Sequence, residues 1–100
     1  MKRGEVWLVR SDKVRPAIVL TRDPVAAHLN AVLVVAVTTR VRGLRSEVPL
    51  DAADSLRVPS VANLDLAQRL ERDAFVRHVG RVRPSTMDAI CAAMQYAIGC

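Results

Sequence analysis

Arginine dominates the residues of this sequence that could do chemistry. The chain of 100 residues carries 15 Lys and Arg against 10 Asp and Glu, a net charge of +5, and only Lys2 and Lys13 of the basic residues are lysines. The planar guanidinium fork of arginine matches phosphate oxygens, which indicates a polyanionic partner such as a nucleic acid. The codon bias of a GC-rich genome is the alternative explanation, because alanine and valine are also abundant.

Motifs for several other kinds of chemistry are absent from the sequence. His28 and His78 are far apart, and there is no CxxC or HExxH zinc pattern, no GxxxxGK[ST] phosphate loop and no GxGxxG fingerprint. Asp51 and Asp54 are closely spaced, but they fall in a predicted turn, where Asp forms local hydrogen bonds. We therefore predict neither a metal site nor a cofactor.

A basic stretch between two predicted strands is the candidate for contact with a phosphate backbone. It contains Arg40, Arg42 and Arg45, and clustered arginines favour nucleic-acid binding; a solvated surface loop is the alternative. Aromatic residues are few, which argues against folds that hold RNA by stacking bases on a sheet. If the protein binds RNA, arginines and backbone groups must do most of the binding.

The elements that must position these residues are mainly β-strands. The patterns of apolar residues and turn residues predict six short strands, at residues 5–10, 15–21, 31–38, 46–50, 60–65 and 75–82. Residues 31–38 are almost wholly apolar, which predicts the most buried strand. Turns are expected at 11–14, 23–29 and 51–54, and a helix with an apolar stripe from Met87 to Ile98 follows Pro84. The predicted fold is mainly β, a small barrel capped by a C-terminal α-helix.

The length of the chain predicts one domain over residues 1–100. No apolar run approaches the roughly 20 residues that span a bilayer, and the N-terminus lacks the pattern of a signal peptide. A cytoplasmic protein without membrane contact is expected. Cys91 and Cys100 fall about 13.5 Å apart along the predicted helix and on opposite sides of it, so no bridge between them is expected.

Four segments, taken in order, resemble the MazF/PemK (Kid-like) toxins of bacterial toxin–antitoxin pairs. They are residues 3–9 (RGEVWLV), 15–20 (RPAIVL), 35–39 (VAVTT) and 79–82 (VGRV), the last followed by Pro84, Met87 and the C-terminal helix. The resemblance implies an SH3-like barrel that forms a homodimer, cleaves single-stranded RNA at short sequences and is silenced by a cognate MazE-like antitoxin. It also implies cleavage without a metal ion.

The resemblance assigns roles to particular residues. Arg15 matches the catalytic arginine that begins the family's second strand, and Thr38 matches the threonine that supports the scissile phosphate at the end of the third; Thr39 follows it in the same motif. In this chemistry the 2′-hydroxyl attacks the neighbouring phosphorus, and a guanidinium and a hydroxyl stabilise the charge that builds on the phosphoryl oxygens. Arginine is a poor proton carrier because its pKa lies above about 12, so Arg15 is predicted to act electrostatically.

Asp65 matches an acidic position that some members use as a base, although a carboxylate that caps a turn explains it equally well. His78 aligns with no functional position. The loop Ser11–Val14 is shorter than the family's loop over the RNA, and the family's QxRT is replaced by residues 66–69 (LAQR).

Two alternative functions stay open at this point. One is a toxin of the same fold that cuts nothing and grips a protein target such as gyrase through its C-terminal helix. The other is a non-catalytic RNA-binding barrel, which the short loop favours.

Overall fold

Seven antiparallel strands form one curved sheet in the computed structural model, which describes residues 1–99. The strands are β1 (Glu5–Arg10), β2 (Val14–Val19), β3 (Ala31–Thr38), β4 (Glu47–Leu50), β5 (Ser60–Asn63), β6 (Gln68–Glu71) and β7 (Phe75–Arg81), and a single α-helix, α1 (Pro84–Ile98), follows. The strand order is β4-β5-β3-β2-β1-β7, and β6 pairs with β3 beside this path. The predicted mainly β fold with a C-terminal helix is confirmed.

Strand β3 lies inside the sheet, but it is not the most buried strand that its apolar sequence predicted, because all four residues of β5 are buried whereas Leu33 of β3 is 37% exposed. It pairs with β2, β5 and β6, and its two faces belong to different cores. Val35 and Val37 pack with Ile18 and with Ile90 of α1, whereas the neighbouring Val34 packs on the opposite side with residues of β1 and β2. A strand that is covered on both faces requires a continuous apolar run in place of alternation.

Strand β6 was not predicted from the sequence. Its residues Gln68–Glu71 have no exposed–buried alternation that would mark a strand. They pair through the backbone with residues 31–34 of β3, so the strand depends on a neighbour rather than on its own side chains. The boundaries of the predicted strands agree with the structure to within two residues. The fifth predicted strand ends two residues early, because residues 64–66 form a 3-10 turn after β5.

Helix α1 covers one end of the sheet. It begins at Pro84, whose missing N–H costs nothing in the first turn, and ends at Gly99, which adopts the left-handed conformation with φ 75°. Ile90 and Ala93 are its buried apolar residues. Ile98, predicted on the buried stripe, is instead 60% exposed. Cys100 lies outside the described residues, so the structure does not test the predicted absence of a bridge to Cys91.

No helix within residues 1–99 combines the length and the apolar composition that crossing a membrane requires.

A close contact between β7 and the turn after residues 52–54 constrains Gly80. A Cβ atom at this position would overlap the side chain of Ser55, whose hydroxyl donates to the Arg81 carbonyl oxygen at 3.0 Å and accepts the Arg81 N–H at 3.1 Å. We expect Gly80→Ala to lower the free energy of unfolding by about 1–2 kcal/mol, because the side chain must displace Ser55. Urea denaturation measures this.

Ser55 itself offers the control for the Gly80 prediction. Its φ of 70° is unusual for a residue with a side chain, so Ser55→Gly removes the obstruction and relieves the backbone at once. The double variant should recover much of the stability that Gly80→Ala loses. An unchanged unfolding midpoint in Gly80→Ala would contradict the contact.

Candidate active site

The ends of strands β2 and β3 bring Arg15 and Thr38 onto one face of the sheet. The two strands are antiparallel, with Ala17 opposite Ala36. The observed pairing ends at Ala17 and Ala36, and Arg15 and Thr38 lie two residues beyond that point in β2 and β3. Both side chains share a face with Ala17 and Ala36, since side chains alternate between faces along a strand. A cationic fork and a hydroxyl therefore lie at the same end of the strand pair, where they line separate cavities.

Arg15 is held by a carboxylate and has an unused donor. Its Nη2 lies 3.1 Å from Oδ1 and 3.3 Å from Oδ2 of Asp12, and its side chain is 29% exposed. The Nε–H is buried and has no hydrogen-bond partner in the protein. A buried donor without a partner is costly, so a small movement that lets this N–H reach an acceptor such as a phosphate oxygen would be favoured.

Asp12 anchors the short loop that carries it. It accepts hydrogen bonds from the Ser11 hydroxyl at 3.0 Å and from the Lys13 N–H at 2.9 Å. The bond from Ser11 and the charge of Arg15 hold the pKa of Asp12 below its ordinary value, against a smaller opposing effect of burial. Asp12, Arg15 and Ala36 line a pocket of about 400 Å³ together with Leu66 and residues of the adjoining loop and strand. The loop thus forms one wall of the Arg15 pocket despite its shortness.

Thr38 lines a different cavity from the Arg15 pocket. Its Oγ1 accepts the N–H of Arg40 at 3.1 Å, which leaves the hydroxyl hydrogen free to donate. Thr38 and Thr39 also line a groove of about 380 Å³ whose lining includes Arg57 and Arg77. Sequence reasoning missed these two arginines, because they are 20 residues apart in different elements. Only the general excess of arginine pointed to them.

The predicted basic stretch is organised around a glutamate. The carboxylate of Glu47 accepts the N–H groups of Arg42 at 3.0 Å and Leu44 at 3.1 Å. Burial raises the pKa of Glu47, but these hydrogen bonds outweigh it and the net shift is downward. Arg45 lies over the ring of Tyr96 on α1, 4.5 Å from its centre. The structure therefore places Arg40 next to Thr38 and directs Arg45 toward the helix.

Asp65 has the contacts of a residue that stabilises a turn. Its Oδ2 accepts the Ser46 hydroxyl at 2.6 Å, and its own N–H donates to Oδ1 of Asn63 at 3.0 Å. It lies in the 3-10 turn Leu64–Leu66 and lines neither of the two cavities that contain Arg15 and Thr38. A catalytic role for Asp65 stays a prediction, and its contacts account for a structural one.

His78 packs on strand β1 and lines neither the Arg15 pocket nor the groove that contains Thr38. Its Nε2 lies 2.9 Å from the Gly80 carbonyl oxygen and 3.7 Å from Oε2 of Glu5, and its ring lies 5.2 Å from that of Trp7. Among residues 1–99, no three His, Cys, Asp or Glu side chains are grouped so that they could hold a metal ion.

Comparison with known proteins places these features in a family. Residues 2–98 match the family described as PemK-like, MazF-like toxin of type II toxin-antitoxin system. The chain is 44% identical, over the full length of both proteins, to the probable endoribonuclease MazF2 of Mycobacterium tuberculosis (strain ATCC 25618 / H37Rv).

Two solved structures share the fold over nearly all of the chain. The M. tuberculosis toxin MazF-mt6 superposes with a TM-score of 0.90 at 37% identity, covering 95% of this chain and 96% of the other. An endoribonuclease in complex with its cognate antitoxin, from a mycobacterial species, gives 0.91 at 26% identity, covering 99% and 95%.

Proposed function

The chain belongs to the PemK-like, MazF-like toxins of type II toxin–antitoxin systems, and we propose that it cleaves single-stranded RNA by attack of a 2′-hydroxyl, without a metal ion. The observation that carries the chemical part of this proposal is the position of Arg15 and Thr38 at the same end of the antiparallel strands β2 and β3. Identity over the full length to a probable endoribonuclease supports the same activity. Residues 1–100 act as one toxin domain in this proposal, and the RNA substrate implies action in the cytoplasm.

The chemistry needs two donors at the scissile phosphate. The 2′-oxygen forms a bond to phosphorus as its proton leaves, the bond from phosphorus to the 5′-oxygen breaks, and the 5′-oxygen takes up a proton. The products are a cyclic phosphate and a 5′-hydroxyl. As the attacking oxygen adds, negative charge builds on the phosphoryl oxygens, where the guanidinium of Arg15 and the hydroxyl of Thr38 stabilise it.

The protein is proposed to act as a homodimer and to be silenced by a cognate MazE-like antitoxin. An apolar groove of about 190 Å³ beside α1 exposes Leu33 and Ile98, and a second copy would remove such residues from water. The net charge of +5 complements an antitoxin with an acidic tail that folds as it binds.

The test is cleavage of a long single-stranded RNA by the purified protein in EDTA. We expect discrete cuts whose fragments carry 5′-hydroxyl ends, because the 2′-hydroxyl is the nucleophile and no metal-bound water takes part. A matched strand with deoxyribose at the mapped cut should resist cleavage. Fragments with 5′-phosphate ends, or cutting that appears only when magnesium is added, would contradict the proposal.

Failure of a well-folded protein to cut several RNAs would favour a toxin that binds a protein target. A pull-down from cell extract would then identify that target.

A further inference from the structure

The groove that contains Arg57 and Arg77 lies on the other face of the sheet from Arg15. Its wall includes Pro16 and Val37, which alternate with Arg15 and Ala36 along their strands and so point to the opposite side. Thr38 and Thr39 also line it. At about 380 Å³ the groove is within the size range of pockets that hold small ligands. Of the residues that line it, the proposed attack on phosphorus uses only Thr38.

Two arginines from separate elements reach this groove without partners. Arg77 lies on β7 opposite Leu8, and Arg57 lies between the turn at residues 52–54 and β5. Both are exposed, and within residues 1–99 neither forms an ion pair with a carboxylate, whereas Arg15, Arg69 and Arg83 do. No Asp or Glu lines the groove. Its uncompensated charge suits an anion.

Apolar side chains next to these arginines remain open to water. Val58 is 53% exposed and Val79 is 39% exposed, and both line the groove. With no aromatic residue in its lining, the groove can contact a sugar or a base only through such aliphatic groups and through the planes of the guanidinium groups. A ligand that combines a phosphate with a flat, partly apolar body matches both features.

We infer that this groove binds the nucleotide next to the scissile phosphate, with Arg57 and Arg77 on its phosphate group and Val58 and Val79 against its sugar and base. The inference rests on the proposed function, since Thr38 is shared by the groove and the reacting site. The RNA strand then passes from the Arg15 pocket over the end of β3 into the groove. Arg57 and Arg77 determine substrate binding and take no part in the chemical step.

The test compares Arg57→Gln and Arg77→Gln with Arg22→Gln, which removes the same charge from an exposed position outside the groove. Each groove variant should raise KM for RNA cleavage about tenfold, the loss of one charge-assisted hydrogen bond, with kcat within twofold of wild type. Binding of the same RNA carrying 2′-O-methyl groups throughout should weaken equally. The slope of log Kd against log salt should fall by about 0.7, as for one lost phosphate contact on a single strand.

Three other outcomes are decisive. If the groove variants behave like Arg22→Gln in binding and in KM, the inference is wrong. If RNA binding is unchanged but binding of the acidic antitoxin is lost, the groove belongs to the antitoxin and the inference is again wrong. The third outcome is that wild type cuts no RNA, although the methylated RNA binds in a way that depends on Arg57 and Arg77. The inference about the groove would then be supported, and the proposed ribonuclease activity would be wrong.

Discussion

Replacing Arg15 with alanine should lower kcat for RNA cleavage by a factor of about 100 to 1000, the usual cost of removing a donor to developing negative charge. The variant loses the buried Nε–H that has no partner in the protein as well as the guanidinium charge. Arg15→Lys should recover little, because an ammonium group keeps the charge but supplies neither the Nε–H nor the fork. Single-turnover cleavage of a mapped RNA measures the effect.

Asp12 and Arg22 provide controls for the Arg15 prediction. Asp12→Asn removes the charge that orients Arg15 and should cause a smaller loss than Arg15→Ala, because the guanidinium itself remains. Arg22→Ala removes a positive charge elsewhere and should change kcat by less than about threefold. An Arg15→Ala protein that melts at the wild-type temperature and cuts at the wild-type rate would show that the site lies elsewhere.

The sequence predicted which residues should take part in RNA cleavage, but not how the fold places them relative to one another. Arg15 and Thr38 were identified by resemblance, at the start of one predicted strand and the end of another. Their position at the same end of the strand pair depends on the pairing of β2 with β3, which is set by which valines face each core and cannot be derived from either strand alone. Arg57 and Arg77 were missed for the same reason, since only the folded sheet brings them beside Thr38.

Elements with a strong pattern of their own were predicted well, and those that depend on neighbours were not. The apolar run at 31–38 predicted β3 and both of its boundaries. Strand β6 has mostly exposed side chains and is held by backbone pairing to β3. Ile98 has the right spacing for the buried face of α1, but it lies in the last turn of the helix, where it stays exposed.

The connection between the sheet and α1, which runs through Arg83, contacts a fully buried carboxylate, that of Asp54. Its Oδ1 accepts the backbone N–H of Arg83 at 2.9 Å and its Oδ2 accepts Nη2 of the same residue at 3.0 Å. Asp51 and Asp54 form a capping box around the turn at residues 52–54, so the predicted local role of this acidic pair is confirmed. Burial raises the pKa of Asp54, but the hydrogen bonds from Arg83 outweigh it and bring the pKa to about 2.

This carboxylate should make the stability of the fold depend on pH below about pH 4. Its pKa is about 2 in the folded protein, against an ordinary value of 3.8, so its contribution is present above pH 3.8 and is lost as the pH falls toward 2. The lost free energy of unfolding is about 2 kcal/mol, from about 1.4 kcal/mol per pKa unit. Urea denaturation at a series of pH values from 6 to 2 measures it.

Asp54→Asn isolates this contribution from the other carboxylates. At pH 7 the variant should lose about 3 kcal/mol, because an amide N–H₂ then faces Arg83 and the charge that paired with the guanidinium is gone. The difference from wild type should shrink as the pH falls toward 2, where wild type also loses the charge. Since Arg83 directly precedes α1, weakening its contact with residue 54 should also loosen the packing of Ile90 and Ala93. A difference between variant and wild type that stays constant from pH 6 to pH 2 would refute the ionic account and leave only packing.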